Sequence, residues 1–115
     1  MADVLIDTDV LVDHLRGARR LPIPEGAACY SSITRAELFA GRHVDESVVR
    51  RLLEPFVELP VDRAVAEEAG RIRRETGLRL PDALIAAAAL GRGLTLWTRN
   101  VRDFGRVSGL AVESC

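Results

Sequence analysis

Apolar and polar positions along this chain fall into blocks whose period alternates between that of a strand and that of a helix. Val4-Leu5-Ile6 is an unbroken apolar run ending on Asp7, the pattern of a buried parallel strand. From Thr8 to Arg16 the apolar residues Val10, Leu11 and Leu15 recur at helical spacing, and Gly17–Gly26, with Pro22 and Pro24, reads as a loop. Ala27–Ser31 predicts a second strand, and Ser31 or Ser32 caps a helix over Ile33–Gly41. Glu46–Glu54 turns Val48, Val49, Leu52 and Leu53 to one face, and Pro55 closes it. Phe56–Leu59 predicts a third strand, and Asp62 to Thr76 a long helix stopped by Gly77. Leu80-Pro81-Asp82 opens the next helix, which carries Ala83–Leu90 and ends at Gly91 or Gly93. Leu94–Trp97 predicts a fourth strand, Thr98–Phe104 a polar loop, and Leu110–Val112 a last short strand. Strands alternating with helices predict an α/β sandwich around a mainly parallel sheet of four to five strands.

Length and composition narrow the class. At 115 residues, with no repeat or linker, the chain is expected to be a single domain, residues 1–115, with a real core. Hydrophobic and charged fractions of 48% and 29% argue against disorder, and no apolar run is long enough for a membrane span. Met1-Ala2-Asp3 lacks a basic region and a following apolar core, so the expected location is the cytoplasm. Cys29 and Cys115 are too few and too isolated for a disulfide framework or a zinc site; Cys29 reads as a core residue. A net charge of −1 gives no global pull toward nucleic acid. All sixteen basic residues are Arg, which suits phosphate and carboxylate partners and excludes any mechanism that needs Lys.

The candidate chemistry lies in the acids at the ends of these elements. Asp7 ends the first strand, Glu37 sits in the helix after the second, Asp82 opens the apolar helix, and Asp103 follows the fourth strand. In a parallel sheet the segments after successive strands converge on one edge, so these four can meet there. Singly, each has a plain structural account. Asp82 suits the first turn of a helix, Glu37 a solvated helix face, and Asp103 an ion pair with Arg99, Arg102 or Arg106. Asp7 resists such an account because it ends a buried strand. Carboxylates crowded together repel unless a cation offsets them, and an oxygen-only set suits Mg²⁺ or Mn²⁺. Such an ion activates water and stabilises charge on a phosphodiester, which implies phosphate-ester hydrolysis without a covalent enzyme nucleophile. Asp9 and Asp13 are expected to cap or face solvent on the first helix, with Asp9 near enough to touch a metal through water.

Together, V-L-I-D-T-D-V-L-V-D, S-S-I-T-R-A-E-L, L-P-D-A-L-I-A-A-A-A and L-T-L-W-T-R-N-V-R-D-F resemble the segments of the PIN-domain ribonucleases. More specifically they resemble the VapC toxins of bacterial VapBC toxin–antitoxin pairs, and the resemblance covers nearly the whole chain. The resemblance implies a PIN-like α/β/α sandwich and a Mg²⁺-dependent endoribonuclease that inhibits translation by cutting RNA. It also implies a toxin homodimer and a cognate VapB-type antitoxin that occludes the acidic cleft. Asp7 and Asp82 would be the core metal ligands, with Glu37 and Asp103 completing the site and Thr98 and Asn100 around it. This chain departs from many relatives in two places: Asp9 replaces a neutral polar residue, and Asn100 stands where many PIN domains carry the fourth acid. The fourth position is assigned here to Asp103.

An acidic cleft does not attract RNA by itself, so cationic groups must hold the backbone. Arg99, Arg102 and Arg106, which flank the fourth acid, are the first candidates, followed by Arg16, Arg19 and Arg20. Few aromatics are present, so base stacking is not expected to dominate, and Trp97 reads as core beneath the site. Rival readings are a catalytically silent PIN-fold binding module, a small aspartyl-phosphate phosphatase, suggested by D-T-D-V, and a receiver domain, whose Lys has no counterpart here.

Overall fold

The computed structural model describes residues 3–17, 21 and 26–115. Five strands form one sheet: β1 (Val4–Ile6), β2 (Ala28–Ser31), β3 (Val57–Leu59), β4 (Thr95–Thr98) and β5 (Val112–Ser114). Among the described residues the helices are α1 (Thr8–Leu15), α2 (Ser32–Phe39), α3 (Glu46–Leu53), α4 (Arg63–Thr76), α5 (Leu80–Arg92) and α6 (Val101–Phe104). The strand order is β3-β2-β1-β4-β5, and every pairing is parallel. The chain first winds outward from β1 to β3, then crosses back to place β4 on the other side of β1. The order therefore reverses between β1 and β4, where open α/β sheets bind ligands at the carboxyl ends of their strands. A receiver domain has the order 2-1-3-4-5, so this topology removes that rival.

Side-chain alternation along the strands splits the core into two layers. Leu5, Cys29 and Leu96 point to the side covered by α4 and α5, with Phe104 and Val107 in the same cluster. Val4, Ile6 and Tyr30 point the other way, toward Val10 and Leu11 of α1, Leu38 of α2, and Val49 and Leu53 of α3. Helices cover both faces, as the sequence pattern predicts, and Cys29 is a core residue.

Helix ends follow local chemistry. Ser31 caps α2 by accepting from Ile33 N–H, and Asp62 caps α4 by accepting from Val65 N–H at 2.9 Å. Gly77 and Gly93 stop α4 and α5 with φ of 77° and 64°, left-handed values that favour glycine.

The packing of helix α5 explains its run of four alanines, Ala86–Ala89. Ala83, Ile85, Ala86, Ala87, Ala88 and Ala89 are all buried, pressed between the sheet and α4. Small side chains allow that close approach. Ala86→Leu keeps helix propensity nearly unchanged but adds volume to a closed layer, so it is expected to cost about 1–3 kcal/mol in urea unfolding.

Two predicted elements differ. The segment predicted as a polar loop contains α6, a single turn held by buried Phe104 and by Gly105 N–H bonding to Val101 C=O at 2.8 Å. Four residues carry too little periodicity to be seen, and tertiary burial of one ring supplies the order. The last strand begins at Val112 instead of Leu110, because Val112 registers with Leu96 while Leu110 turns back onto the core after Gly109.

Candidate metal and RNA site

The site is built where β1 and β4 end. Asp7 follows β1 directly and is also the N-cap of α1, its backbone extended and its Oδ1 accepting Thr8 N–H at 2.8 Å. Its own N–H donates to Trp97 C=O at 2.9 Å, which continues the β1–β4 ladder by one residue. Thr98, the last residue of β4 and fully buried, donates its hydroxyl to Asp7 Oδ2 at 2.7 Å. The Thr98 hydroxyl in turn accepts Asn100 N–H at 2.9 Å. Asp7 is only 4% exposed, so the sheet edge holds a carboxyl group in the protein interior.

Its surroundings make the charged form costly. Burial, then the neighbouring Asp9 charge, push Asp7 up from 3.8 to about 8, against the hydrogen bonds from Thr98 and Thr8. Asp9 is more involved than its position in the sequence suggests. Its Oδ1 is buried and, among the described residues, has no hydrogen-bond partner. Asp82, in the first turn of α5, is also raised, chiefly by burial; Arg79 opposes this, while Glu37, Asp103 and Asp9 add to it. Those three charges acting on Asp82 bring the predicted acids into one electrostatic neighbourhood.

A cleft of ≈ 390 Å³ collects the groups: Asp7, Asp9, Glu37, Asp82 and Asn100 line it, with Asp13, Arg16 and Arg79 around them. Glu37 is fixed from α1, because the Thr8 hydroxyl donates to its Oε1 at 2.8 Å. Thr34 of α2, also buried, must then donate to Thr8 Oγ1 at 2.9 Å, since the Thr8 proton is already engaged. Asp103 does not line the cleft. Its Oδ2 accepts from Asn100 Nδ2 at 2.9 Å and its Oδ1 lies 3.5 Å from the Arg106 guanidinium, while Asn100 itself lines the cleft.

Of the predicted RNA contacts, Arg99 pairs with Asp13 and Arg106 donates to Thr76 C=O at 2.9 Å. The Arg102 side chain has no such partner among the described residues. Arg19 and Arg20 lie outside the described residues. Asp9, expected on the first helix and near enough to reach a metal through water, lines the cleft, and so does Asp13, which was expected at a cap or in solvent. Sequence reading missed Arg79, Thr8 and Thr34 altogether. Thr8 carried the only available signal, since it sits between two carboxylates at a strand end. Trp97 is half-buried against the α1 side of the core, as expected.

The donor set fits a divalent cation. Its carboxylates offer hard oxygens, one of them buried without a partner among the described residues, and Asp7 and Asp82 are raised first by burial and then by neighbouring like charge, both of which a cation would offset. Among the described residues no three His, Cys, Asp or Glu side chains already converge on one ion position. Ligation partly through water, the habit of Mg²⁺, suits that spacing.

The PIN domain family pattern matches residues 4–110. The tRNA(fMet)-specific endonuclease VapC of Shigella flexneri is 33% identical, with 98% of each chain covered. Ribonuclease VapC10 of Mycobacterium tuberculosis is 38% identical over 88% of this chain and 85% of its own. Among solved structures, a toxin–antitoxin complex from Klebsiella pneumoniae contains a chain that superposes with a TM-score of 0.77 at 31% identity, covering 94% of this chain and 95% of that one. The DNA-bound VapBC complex of Salmonella typhimurium gives 0.82 at 26% identity, covering 99% and 98%. The chain belongs to the PIN-domain family, in the branch whose characterised members are named VapC. Ribonucleases of this family generally depend on a divalent metal. Among the described residues no helix is long and apolar enough to cross a membrane.

Proposed function

We propose that this chain, a single PIN domain spanning residues 1–115, is the toxin of a type II toxin–antitoxin pair. It acts in the cytoplasm as a Mg²⁺-dependent endoribonuclease, with Mn²⁺ able to substitute, and arrests translation by hydrolysing RNA phosphodiester bonds. The observation that carries the reading is the cleft at the β1–β4 edge, where Asp7, Asp9, Glu37 and Asp82 share one space and the buried Asp9 Oδ1 has no hydrogen-bond partner among the described residues. When bound, the cation supplies an activated water and offsets charge developing on the phosphodiester. Asp7 and Asp82 hold it, and Glu37 completes the set from α2. Asp103 acts through Asn100, which its carboxylate orients. Thr98 fixes the Asp7 carboxyl, and Thr8 ties Asp7 to Glu37 by donating its N–H to one and its hydroxyl to the other. Asp9 adds charge beside Asp7 and makes the pair dependent on a cation. Arg102 remains available to the RNA backbone, whereas Arg99 and Arg106 first hold Asp13 and Asp103 in place. The protein works as a homodimer, and a VapB-type antitoxin restrains it; structural relatives of the chain are found in toxin–antitoxin and VapBC complexes.

A purified sample is expected to cut RNA in Mg²⁺, stop in EDTA and recover when Mg²⁺ is restored. Asp82→Asn should slow cleavage about 100-fold or more, because several kcal/mol of transition-state stabilisation depends on the ion it helps to hold, while thermal unfolding stays cooperative. Undiminished cleavage in EDTA, or by the folded variant, would overturn the metal-nuclease reading and leave a silent binding module as the better one. Co-expression of the adjacent reading frame is expected to relieve growth arrest.

A further inference from the structure

Five carboxyl groups, Asp7, Asp9, Asp13, Glu37 and Asp82, line the cleft that an RNA backbone would have to enter. A polyanion is repelled there unless fixed cations meet its phosphates. Two guanidinium groups line the same cleft, Arg16 and Arg79. Like Arg102 outside the cleft, they differ from three other arginines in being held by no side-chain hydrogen bond or ion pair among the described residues, although the Arg79 charge reaches Asp82. Arg99 is held by Asp13, Arg106 by Thr76 C=O, and Arg73 by the carbonyls of Gly77 and Leu78. Arg16 and Arg79 make no side-chain hydrogen bond or ion pair among the described residues, and both are exposed.

Arg79 is also placed rigidly. It is the N-cap of α5, extended at φ −61° and ψ 149°, and its C=O accepts Ala83 N–H at 2.9 Å. Pro81 stiffens the turn that follows, and Asp82 stands three residues on. The guanidinium therefore stems from the backbone turn that presents Asp82 to the cleft. Arg16 ends α1 as its C-cap. It lies nine residues past Asp7, about 13 Å along the helix axis, so the two arginines are suited to different phosphates.

We infer that Arg79, with Arg16, is the phosphate clamp of this cleft: Arg79 grips the RNA phosphate beside the scissile bond and Arg16 a more distant one. This deepens the nuclease reading and rests on it. The planar forks match phosphate oxygens, and solvent exposure leaves little to break before they bind.

The test is binding of a labelled mixed-sequence single-stranded oligoribonucleotide, followed by anisotropy in EDTA across a salt series, with cleavage kinetics in Mg²⁺ alongside. Arg79→Ala is expected to weaken binding roughly tenfold and flatten the plot of log K against log salt by about 0.7, one phosphate contact to single-stranded RNA. In cleavage the change should fall mainly on KM. Arg79→Lys keeps the charge and should keep the slope, while Arg71→Ala, whose guanidinium pairs with Glu68 on α4, should leave both unchanged. An Arg79→Ala slope equal to that of the wild type, in a wild-type protein that cuts RNA, overturns the clamp alone. A slope lost equally in Arg79→Lys assigns the effect to shape, which also overturns it. Wild-type protein that neither binds nor cuts RNA overturns the nuclease reading together with the clamp.

Discussion

Asp7→Asn is expected to be more stable than the wild type in metal-free buffer near pH 8 and yet at least about 100-fold slower in Mg²⁺-supported RNA cleavage. Both effects come from one buried carboxyl. In the folded protein Asp7 holds its proton up to about 8, against 3.8 for an unburied carboxyl. Below pH 3.8 the folded and unfolded chains are both protonated at this position, and its contribution is flat. As pH rises from there toward 8, the unfolded chain has released a proton that the folded chain retains, so stability falls with pH. Above 8 both forms are ionised and the penalty stays at its full value.

Asparagine is neutral at every pH and can accept from Thr8 N–H while donating to Thr98, so it escapes that penalty. The gain should be about 2–5 kcal/mol near pH 8 and should shrink toward zero near pH 4. Added Mg²⁺ should raise the denaturation midpoint of the wild type by mass action and leave the variant almost unmoved. Denaturant titrations of both proteins at the two pH values, with and without Mg²⁺, decide the matter. A variant that is no more stable than wild type at the higher pH would show that Asp7 is ionised at no cost, removing the argument that a cation must meet it.

Phe104→Ala is expected to cost about 3–5 kcal/mol, a large part of the 5–15 kcal/mol that holds a typical domain together. The ring is 1% exposed and packs in the layer between the sheet and α5, with Val107 beside it and Leu110 against the same cluster. Helix α6 is only four residues long, far below the length at which a helix holds itself. Phe104 therefore orders the segment that carries Asn100 and Asp103, and its loss should also free their 2.9 Å hydrogen bond. Urea unfolding should show the loss of stability. Cleavage should fall further than it does in Asp103→Ala, which removes only the acceptor of that bond. Phe104→Leu should restore most of both. Full activity in a destabilised Phe104→Ala protein would mean that the Asn100–Asp103 pair has no part in the site.

The parts that were legible in the sequence are those with a period. Val4–Ile6, Ala28–Ser31 and the alanine-rich run at Ala83–Ala89 declare themselves by apolar continuity, and their ends by Asp7, Ser31, Gly77 and Gly93. Parallel strands then oblige their carboxyl ends to share an edge, which is why the pattern groups Asp7, Glu37, Asp82 and Asp103 there, although Asp103 falls outside the cleft lining. Side-chain direction was not legible. Asp9 and Asp13 looked like helix-surface acids, yet Asp9 turns a buried oxygen inward and Asp13 faces Arg99 across the cleft wall. Arg79 carried no signal at all, because an arginine before a helix is ordinary until the cleft beside it exists.

The amino-acid order by itself determined the α/β class, the element sequence and the set of acids at the strand and helix ends. Those follow from periodicity and capping, which act over a few residues. Tertiary structure alone decided the reversal of strand order between β1 and β4, the burial that raises Asp7, and which arginines are spent on carboxylates and carbonyls. Each of these depends on contacts between segments far apart in the chain, as in the bond from Thr98 to Asp7 across 91 residues. Local pattern does not encode such distances; packing the two layers against the sheet sets them.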